Sequence, residues 1–206
     1  MTELEYTIEN ECRAMGYGII AGCDEAGRGC LAGPVVAAAC ILPDGLMIKG
    51  LNDSKKLSAK RRETFYDIIV SSAVAYGIAE ASVSEIDEMN ILNAAMLAMR
   101  RAVSKLSVVP SIVLVDGNKS PEFDGIAART VIHGDGISPS IAAASILAKV
   151  YRDRLLVELD REYPGYGFAK NKSYGTKEHM EALRRLGPTE CHRRTFLSFL
   201  NDDEGQ

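Results

Sequence analysis

The chain has 206 residues, 47% of them hydrophobic and 25% charged, with a formal net charge of −4 at neutral pH. That apolar content can bury a full core, so one domain with a smaller appendage is expected rather than two equal domains. No apolar run approaches the ~18 residues of a membrane span, the first five residues lack a signal-peptide pattern, and the five cysteines include no C-x-x-C pair, so a cytoplasmic protein with reduced thiols and no zinc site is expected.

Tyr17-Gly18-Ile19-Ile20-Ala21-Gly22, apolar and bounded by glycines, predicts a buried strand over roughly residues 17–24. It runs into Cys23-Asp24-Glu25-Ala26-Gly27-Arg28-Gly29, placing two adjacent carboxylates at the strand's end. Strand side chains alternate between faces, so at least one acid meets the interior or a cleft, and a hard cation would justify keeping both. The glycine-flanked Arg28 suggests bare backbone brought close to an anion. Residues 34–42 form a second apolar strand, antiparallel to the first because the connection is short. Ser58 reads as the N-cap of a helix ending near Ser71, and residues 73–83 as a third strand. Ser84 is expected to cap a long helix over 85–105 with Ile86, Met89, Leu92, Asn93, Met96, Leu97 and Met99 facing the core. Residues 111–117 and 129–135 are strands that each end in an acid, Asp116 and Asp135. A helix follows from about Ser138 to Tyr163, opened by small residues that permit close packing on a sheet, and two short helices flank Gly187-Pro188. The sum is a mixed α/β sheet covered by helices.

Three strand ends thus finish in acid: Asp24-Glu25, Asp116 and Asp135. If the strands are neighbours, four carboxylates converge without histidine or cysteine, a ligand set that selects Mg2+ or Mn2+. Such ions are a recurrent device for phosphodiester cleavage. The glycines of residues 27–33 superficially resemble a dinucleotide loop, but Pro34 and an apolar run follow where that loop needs a helix N-terminus; no P-loop motif occurs. Between Lys149 and Phe196, 11 Lys and Arg stand against 7 Asp and Glu, leaving −8 on the rest. A basic C-terminal third allows a phosphate-binding face, with Lys170 and Lys172 as candidate contacts.

These residues, taken with Leu51-Asn52-Asp53-Ser54-Lys55-Lys56-Leu57, Val115-Asp116-Gly117, Gly134-Asp135, the run from Ser140 through Lys149 to Val150, Tyr174-Gly175-Thr176 and His192-Arg193-Arg194, resemble the bacterial ribonuclease HII family over roughly residues 17–200. The resemblance implies an RNase H-like fold: a mixed five-stranded sheet flanked by helices over residues 1–163, and a C-terminal helical extension over 164–206 ending in a disordered acidic tail from residue 201. It implies endonucleolytic cleavage of RNA in RNA/DNA hybrids and on the 5′ side of ribonucleotides embedded in duplex DNA, leaving 3′-hydroxyl and 5′-phosphate ends. Asp24, Glu25, Asp116 and Asp135 would hold Mn2+ or Mg2+. Gly27, Arg28 and Gly29 would contact the ribonucleotide 2′-hydroxyl and adjacent phosphates, and Tyr174 the following deoxyribose. Lys55, Ser145 and Lys149, within the matching blocks, would add nucleic-acid contacts. A monomer working in ribonucleotide repair and primer removal is expected. The chain departs from the family pattern at Cys30, His133 and Ile137, where proline, lysine and lysine are usual, which bears on substrate affinity. The residues alone leave open an RNase H-like nuclease acting on DNA, which would need no 2′-hydroxyl, and a hybrid-binding module that never cuts.

Overall fold

A computed structural model describes residues 4–202, with side chains through residue 200. Five strands form one sheet in the order β3-β2-β1-β4-β5, comprising β1 (Ile20–Ala26), β2 (Val35–Ile41), β3 (Ala75–Ala81), β4 (Ile112–Asp116) and β5 (Ala127–Val131). The expected antiparallel pairing of β1 with β2 is present, β2 pairs antiparallel with β3, and β1, β4 and β5 run parallel. Mixed five-stranded sheet and flanking helices match the fold expected from the sequence.

Alternation along β1 sets the two layers. Ala21 and Cys23 face one core with α3 (Val83–Met89) and α4 (Ile91–Ser104), while Gly22 and Asp24 face α5 (Pro139–Glu162). Gly22 has a specific reason to be glycine: a Cβ there would lie 2.1 Å from the backbone carbon of Ser140. Ala142, Ala143, Ala144 and Ala148, all fully buried, let α5 lie equally close to the sheet. Helix α2 (Ala59–Ser72), capped by Ser58 as expected, packs beside α5. The C-terminal segment, with α6 (Phe168–Asn171), α7 (Lys177–Leu186) and α8 (Phe199–Asp202), builds a separate cluster in which Phe168, Ala182, Leu183 and Leu197 bury against Leu156 of α5 and Ala32.

Several expectations need correction. The first strand starts at Ile20 and continues to Ala26, so Asp24 and Glu25 are paired members of the strand. The helix over 85–105 is two helices: Ser82, not Ser84, caps the first in a capping box with Glu85. Asn90, at φ 69°, breaks the run and caps α4 with its own side chain, accepting from the Leu92 and Asn93 amides. The break turns Asn93 outward, and alanines 94, 95, 98 and 102 carry the buried face with Met99. Strand β5 ends at Val131; His133 takes a left-handed φ of 56°, and Asp135 sits on a 3-10 turn, Gly134–Gly136, not at a strand end. An unanticipated N-terminal helix, α1 (Thr7–Ala14), places the buried carboxylate of Glu9 against Ser138 Oγ (2.7 Å) and the Ser140 amide (3.1 Å), at the start of α5. Residues 201 and 202 of the expected tail complete α8, and residues 203–206 lie outside the described part. All five cysteines are free and buried, and among the described residues no helix is long and apolar enough to cross a membrane.

Candidate active site

Strand register builds the acidic floor. Cys23 pairs with Val115 in the parallel β1–β4 ladder, so Asp24 and Asp116 follow side by side at adjacent strand ends and on one face. Asp116 Oδ1 then accepts from the amides of Gly134 (2.7 Å) and Asp135 (3.4 Å), drawing the following turn inward. Carboxylate oxygens of Asp24, Asp116 and Asp135 come within 4.8 Å of one another. Glu25 leaves β1 on the opposite face and accepts from Arg28 Nη1 at 3.2 Å, yet lines the same cleft as Asp24 and Asp116.

The cluster is electrostatically loaded. Burial, then the charges of Glu25 and Asp116, push the Asp24 carboxyl well above the usual carboxylate range. Burial also raises Glu25, against the pull of Arg28. Asp135 is raised by burial too, against the opposing pull of Lys55, whose Nζ lies 3.2 Å from its Oδ2. Burial disfavours the Lys55 ammonium, but Asp135, Asp24 and Asp53 outweigh it and hold its pKa above the ordinary value. Three acids served by one nearby lysine can hold a divalent cation through oxygen alone.

Above this floor opens a cavity of about 200 Å³. Gly27, Arg28 and Gly29 form one wall; Ser54, Lys55, Ser145 and Lys149 form the other; Tyr174, 47% exposed, stands at the rim. Nothing lies within 4 Å of a Cβ built on Gly29, so its backbone faces open space. Ser145 donates to Ser54 Oγ at 2.8 Å, and Lys149 pairs with Asp153 at 2.7 Å. Lys170 and Lys172 are not part of this cavity: Lys170 pairs with Glu178 on the surface, and Lys172 borders a separate depression beside Arg62 and Asp153.

Two buried arginines, Arg152 and Arg193, were missed as part of this architecture. Arg152 donates to the carbonyls of Pro34 (3.2 Å), Ala32 (3.1 Å) and Lys172 (3.3 Å) and to Ser173 Oγ (2.9 Å). Arg193 donates to the carbonyls of Gly33 (2.9 Å) and Arg28 (3.0 Å). Together they tie the glycine loop to the segment carrying Tyr174, joined also by isolated bridges Cys30↔Tyr174 and Ala32↔His192. Gly27 is glycine for this reason: at φ +99°, its Cβ would lie 2.1 Å from Arg152 Nε. Burial, with the charge of Arg152 nearby, pushes the Arg193 guanidinium down to about 10. The signal for Arg152 was its place on the buried stripe of α5 with Ser145, Ala148 and Leu156, spaced three and four residues apart. Arg193 sits in irregular chain, where no period marks a buried cation.

Neighbouring acids on β1 and β4 and on the turn after β5, with exposed loop backbone beside them, suit a metal-dependent phosphodiesterase. Comparison with known proteins makes the class particular. The family model described as Ribonuclease HII matches residues 21–199, and the chain belongs to that family. Curated proteins named ribonuclease HII are similar to it: one from Ruegeria pomeroyi is 55% identical across 95% of this chain and 83% of its own length. Another, from Burkholderia mallei, is 57% identical across 86% and 83%. Among solved structures, ribonuclease H2 from Pyrococcus horikoshii superposes with a TM-score of 0.74 at 25% identity, covering 90% of this chain and 98% of that one. Ribonuclease HII of Archaeoglobus fulgidus, solved in complex with PCNA, gives 0.72 at 28% identity, covering 89% and 99%. The family consists of divalent-metal-dependent endoribonucleases acting on the RNA of RNA/DNA hybrids, and this chain is such an enzyme.

Proposed function

We propose that the enzyme also cuts on the 5′ side of a single ribonucleotide embedded in duplex DNA, leaving 3′-hydroxyl and 5′-phosphate ends. The observation that carries this reading is the meeting, in one cavity, of the acidic floor, the bare backbone of residues 27–29 and the ring of Tyr174. Asp24, Glu25, Asp116 and Asp135 would hold the ions. The oxygen-only donors, of which Asp24, Asp116 and Asp135 cluster within 4.8 Å and Glu25 lines the same cleft, suit Mg2+ or Mn2+. When bound, such ions supply a water nucleophile and charge stabilisation at phosphorus. The chain's own residues do the selecting. Backbone groups of Gly27 and Gly29 approach the ribose 2′-hydroxyl, which distinguishes RNA from DNA. Arg28, steadied by Glu25, with Lys55, Ser145 and Lys149, meets the adjacent phosphates. Tyr174 packs on the next sugar, where a second 2′-hydroxyl would crowd the ring. Lys170 and Lys172 contribute at most at the flank of this path.

In this reading residues 1–163 carry the chemistry, residues 164–206 supply the Tyr174 wall, and the protein works as a cytoplasmic monomer in ribonucleotide repair and primer removal. The deciding experiment incubates a labelled DNA duplex carrying one ribonucleotide with Mg2+ and then Mn2+, mapping the cut and its ends beside an all-DNA duplex. A single cut 5′ to the ribonucleotide is expected, with the all-DNA duplex intact. Equal cutting of both duplexes would replace this reading with a DNA nuclease.

A further inference from the structure

Two buried histidines stand behind the Tyr174 rim. His179, on α7, is fully buried and His192 is 1% exposed, with their Nε2 atoms 3.2 Å apart. The rings of Tyr166 and Phe168 pack against both. At one end His179 Nδ1 lies 3.0 Å from the carbonyl oxygen of Tyr174. At the other, the Thr189 backbone N–H points at His192 Nδ1 from 3.0 Å, and Thr189 Oγ1 lies 2.8 Å from the same nitrogen.

Those end groups settle where the protons sit. A carbonyl only accepts and a backbone amide only donates, so His179 carries its proton on Nδ1 and His192 leaves Nδ1 bare; the Thr189 hydroxyl, able to donate or accept, turns its proton toward that bare nitrogen. A neutral imidazole has one N–H, so that of His192 is on Nε2 and points at the bare Nε2 of His179. The chain then runs from the Thr189 amide to His192, from His192 to His179, and from His179 to Tyr174, with one proton in every bond. A second proton on His179 would set two N–H groups face to face across the 3.2 Å gap; on His192 it would oppose the Thr189 amide. Burial also favours the neutral rings, pushing His179 down and His192 down to about 4, where His179 and Arg194 add to the effect.

We propose that His192 and His179 are positioning residues that set the stance of Tyr174 over the cleft through this two-imidazole relay, a role that rests on Tyr174 reading the junction. The geometry around the relay favours it. The Tyr174 carbonyl also accepts from the Thr176 amide (2.8 Å), and its own amide donates to the Asn171 carbonyl (3.1 Å), so the residue is held by its backbone while its half-exposed ring lines the cavity. The neighbouring Arg193 grips the adjoining glycine loop through the carbonyls of Arg28 and Gly33. His192 itself is bridged to Ala32. One short segment therefore holds both the glycine loop and the Tyr174 rim, and the relay fixes the rim in its place beside the loop.

Ring-nitrogen NMR of 15N-histidine-labelled protein, without substrate at neutral pH, reads the relay directly. His179 should appear as the Nδ1–H tautomer and His192 as the Nε2–H tautomer, distinguished from His133 by single substitutions. The same tautomer in both rings, or a charged ring, overturns the relay. Kinetics read its purpose. His179→Asn keeps an amide donor near the Nδ1 position, whereas His179→Gln reaches toward His192 and drops the bond to Tyr174. For a duplex with one ribonucleotide, kcat/KM should fall about tenfold in His179→Gln and about threefold or less in His179→Asn, since ångström-scale misplacement is felt at this level. Long hybrids should lose less in both. Equal losses in the two variants, or equal losses on the two substrates, overturn the positioning role. If both variants unfold, the wild-type tautomers still decide the relay. Tyr174→Ala, measured on both substrates, separates failure of the relay from failure of the junction reading.

Discussion

The acidic floor and the wall that faces it are held in place by different physical means. Asp24 and Asp116 are set by the parallel register of β1 and β4, and Asp135 by a turn pinned to the Asp116 carboxylate through main-chain amides. The wall has almost no ladder of its own, only two isolated bridges. Side chains from elsewhere hold it: Arg152 and Arg193 by donating to loop carbonyls, His192 and His179 at the Tyr174 backbone. Main-chain register positions the acids proposed to hold the ions; side-chain struts position the groups proposed to choose the substrate. Substitutions in the two regions should therefore fail in different ways.

The largest effect should come from the floor. Asp116→Asn keeps an oxygen that can accept from Gly134, so the turn should survive, but it removes charge from the site proposed to hold cations. Turnover should fall by about 10²- to 10³-fold on every substrate with an unchanged circular-dichroism spectrum, the scale typical for loss of a group that stabilises transition-state charge. A folded variant keeping a tenth of wild-type activity would remove Asp116 from the ion site.

Removing a strut should act on stability and activity together. Arg193→Met leaves the buried carbonyl of Gly33 and the partly buried one of Arg28 without this donor, at a cost of about 2–3 kcal/mol. That corresponds to a melting temperature lower by roughly 5–10 °C for a chain of this size, read by calorimetry. Loss of activity on both substrates should accompany it, because the loop carbonyls no longer hold residues 27–29 over the floor. An undiminished melting temperature would show that the wall is held by packing alone.

Tyr174→Ala should separate the substrates without unfolding the chain, since the ring is half-exposed. A loss of about tenfold is expected on single-ribonucleotide duplexes, as for a lost stacking platform, and a smaller one on long hybrids. Matched rates on both substrates assign the tyrosine to folding.

The same contrast governs how much was legible in the residues. Strand-end acids, glycine loop and α5 with its alanine run are local patterns, and they predicted the sheet, the floor and the cap at Ser58. Asp135 was expected in the acidic cluster and lies there, but on a different element, because an apolar run through Ile132 hid the left-handed turn at His133. Asn90 broke a helix without the usual glycine or proline. Helix α1 was hard to see because its apolar face is short, Ile8 and Cys12 against a cluster that includes Ile141, and its other anchor on α5 is a buried carboxylate, Glu9. The struts were unreadable for a related reason: Arg193 and the two histidines work by donating to, or accepting from, main-chain groups whose positions only the fold reveals.

One anchor joins the two regions, and it offers the mildest test. Asp87, on α3 of the catalytic layer, accepts from the amides of Arg194 (2.9 Å) and Thr195 (3.0 Å) and from Thr195 Oγ1 (2.6 Å), immediately after Arg193. Burial opposes its charge, but the bonds from Thr195 and Arg194 outweigh burial and lower its pKa from the ordinary 3.8. A depressed carboxylate contributes stability that is present above its unfolded pKa and lost as pH falls through the folded one. Asp87→Ala should therefore cost about 1 kcal/mol at pH 7, the scale of exposed side-chain to backbone bonds. The gap to wild type should narrow only below about pH 4, as the unfolded-state carboxyl begins to bind its proton. Urea midpoints for both proteins across pH 7 to 3 check this. A gap that stays constant over that range would mean that Asp87 acts by shape and not by charge, and that the wall is fastened to the catalytic layer elsewhere.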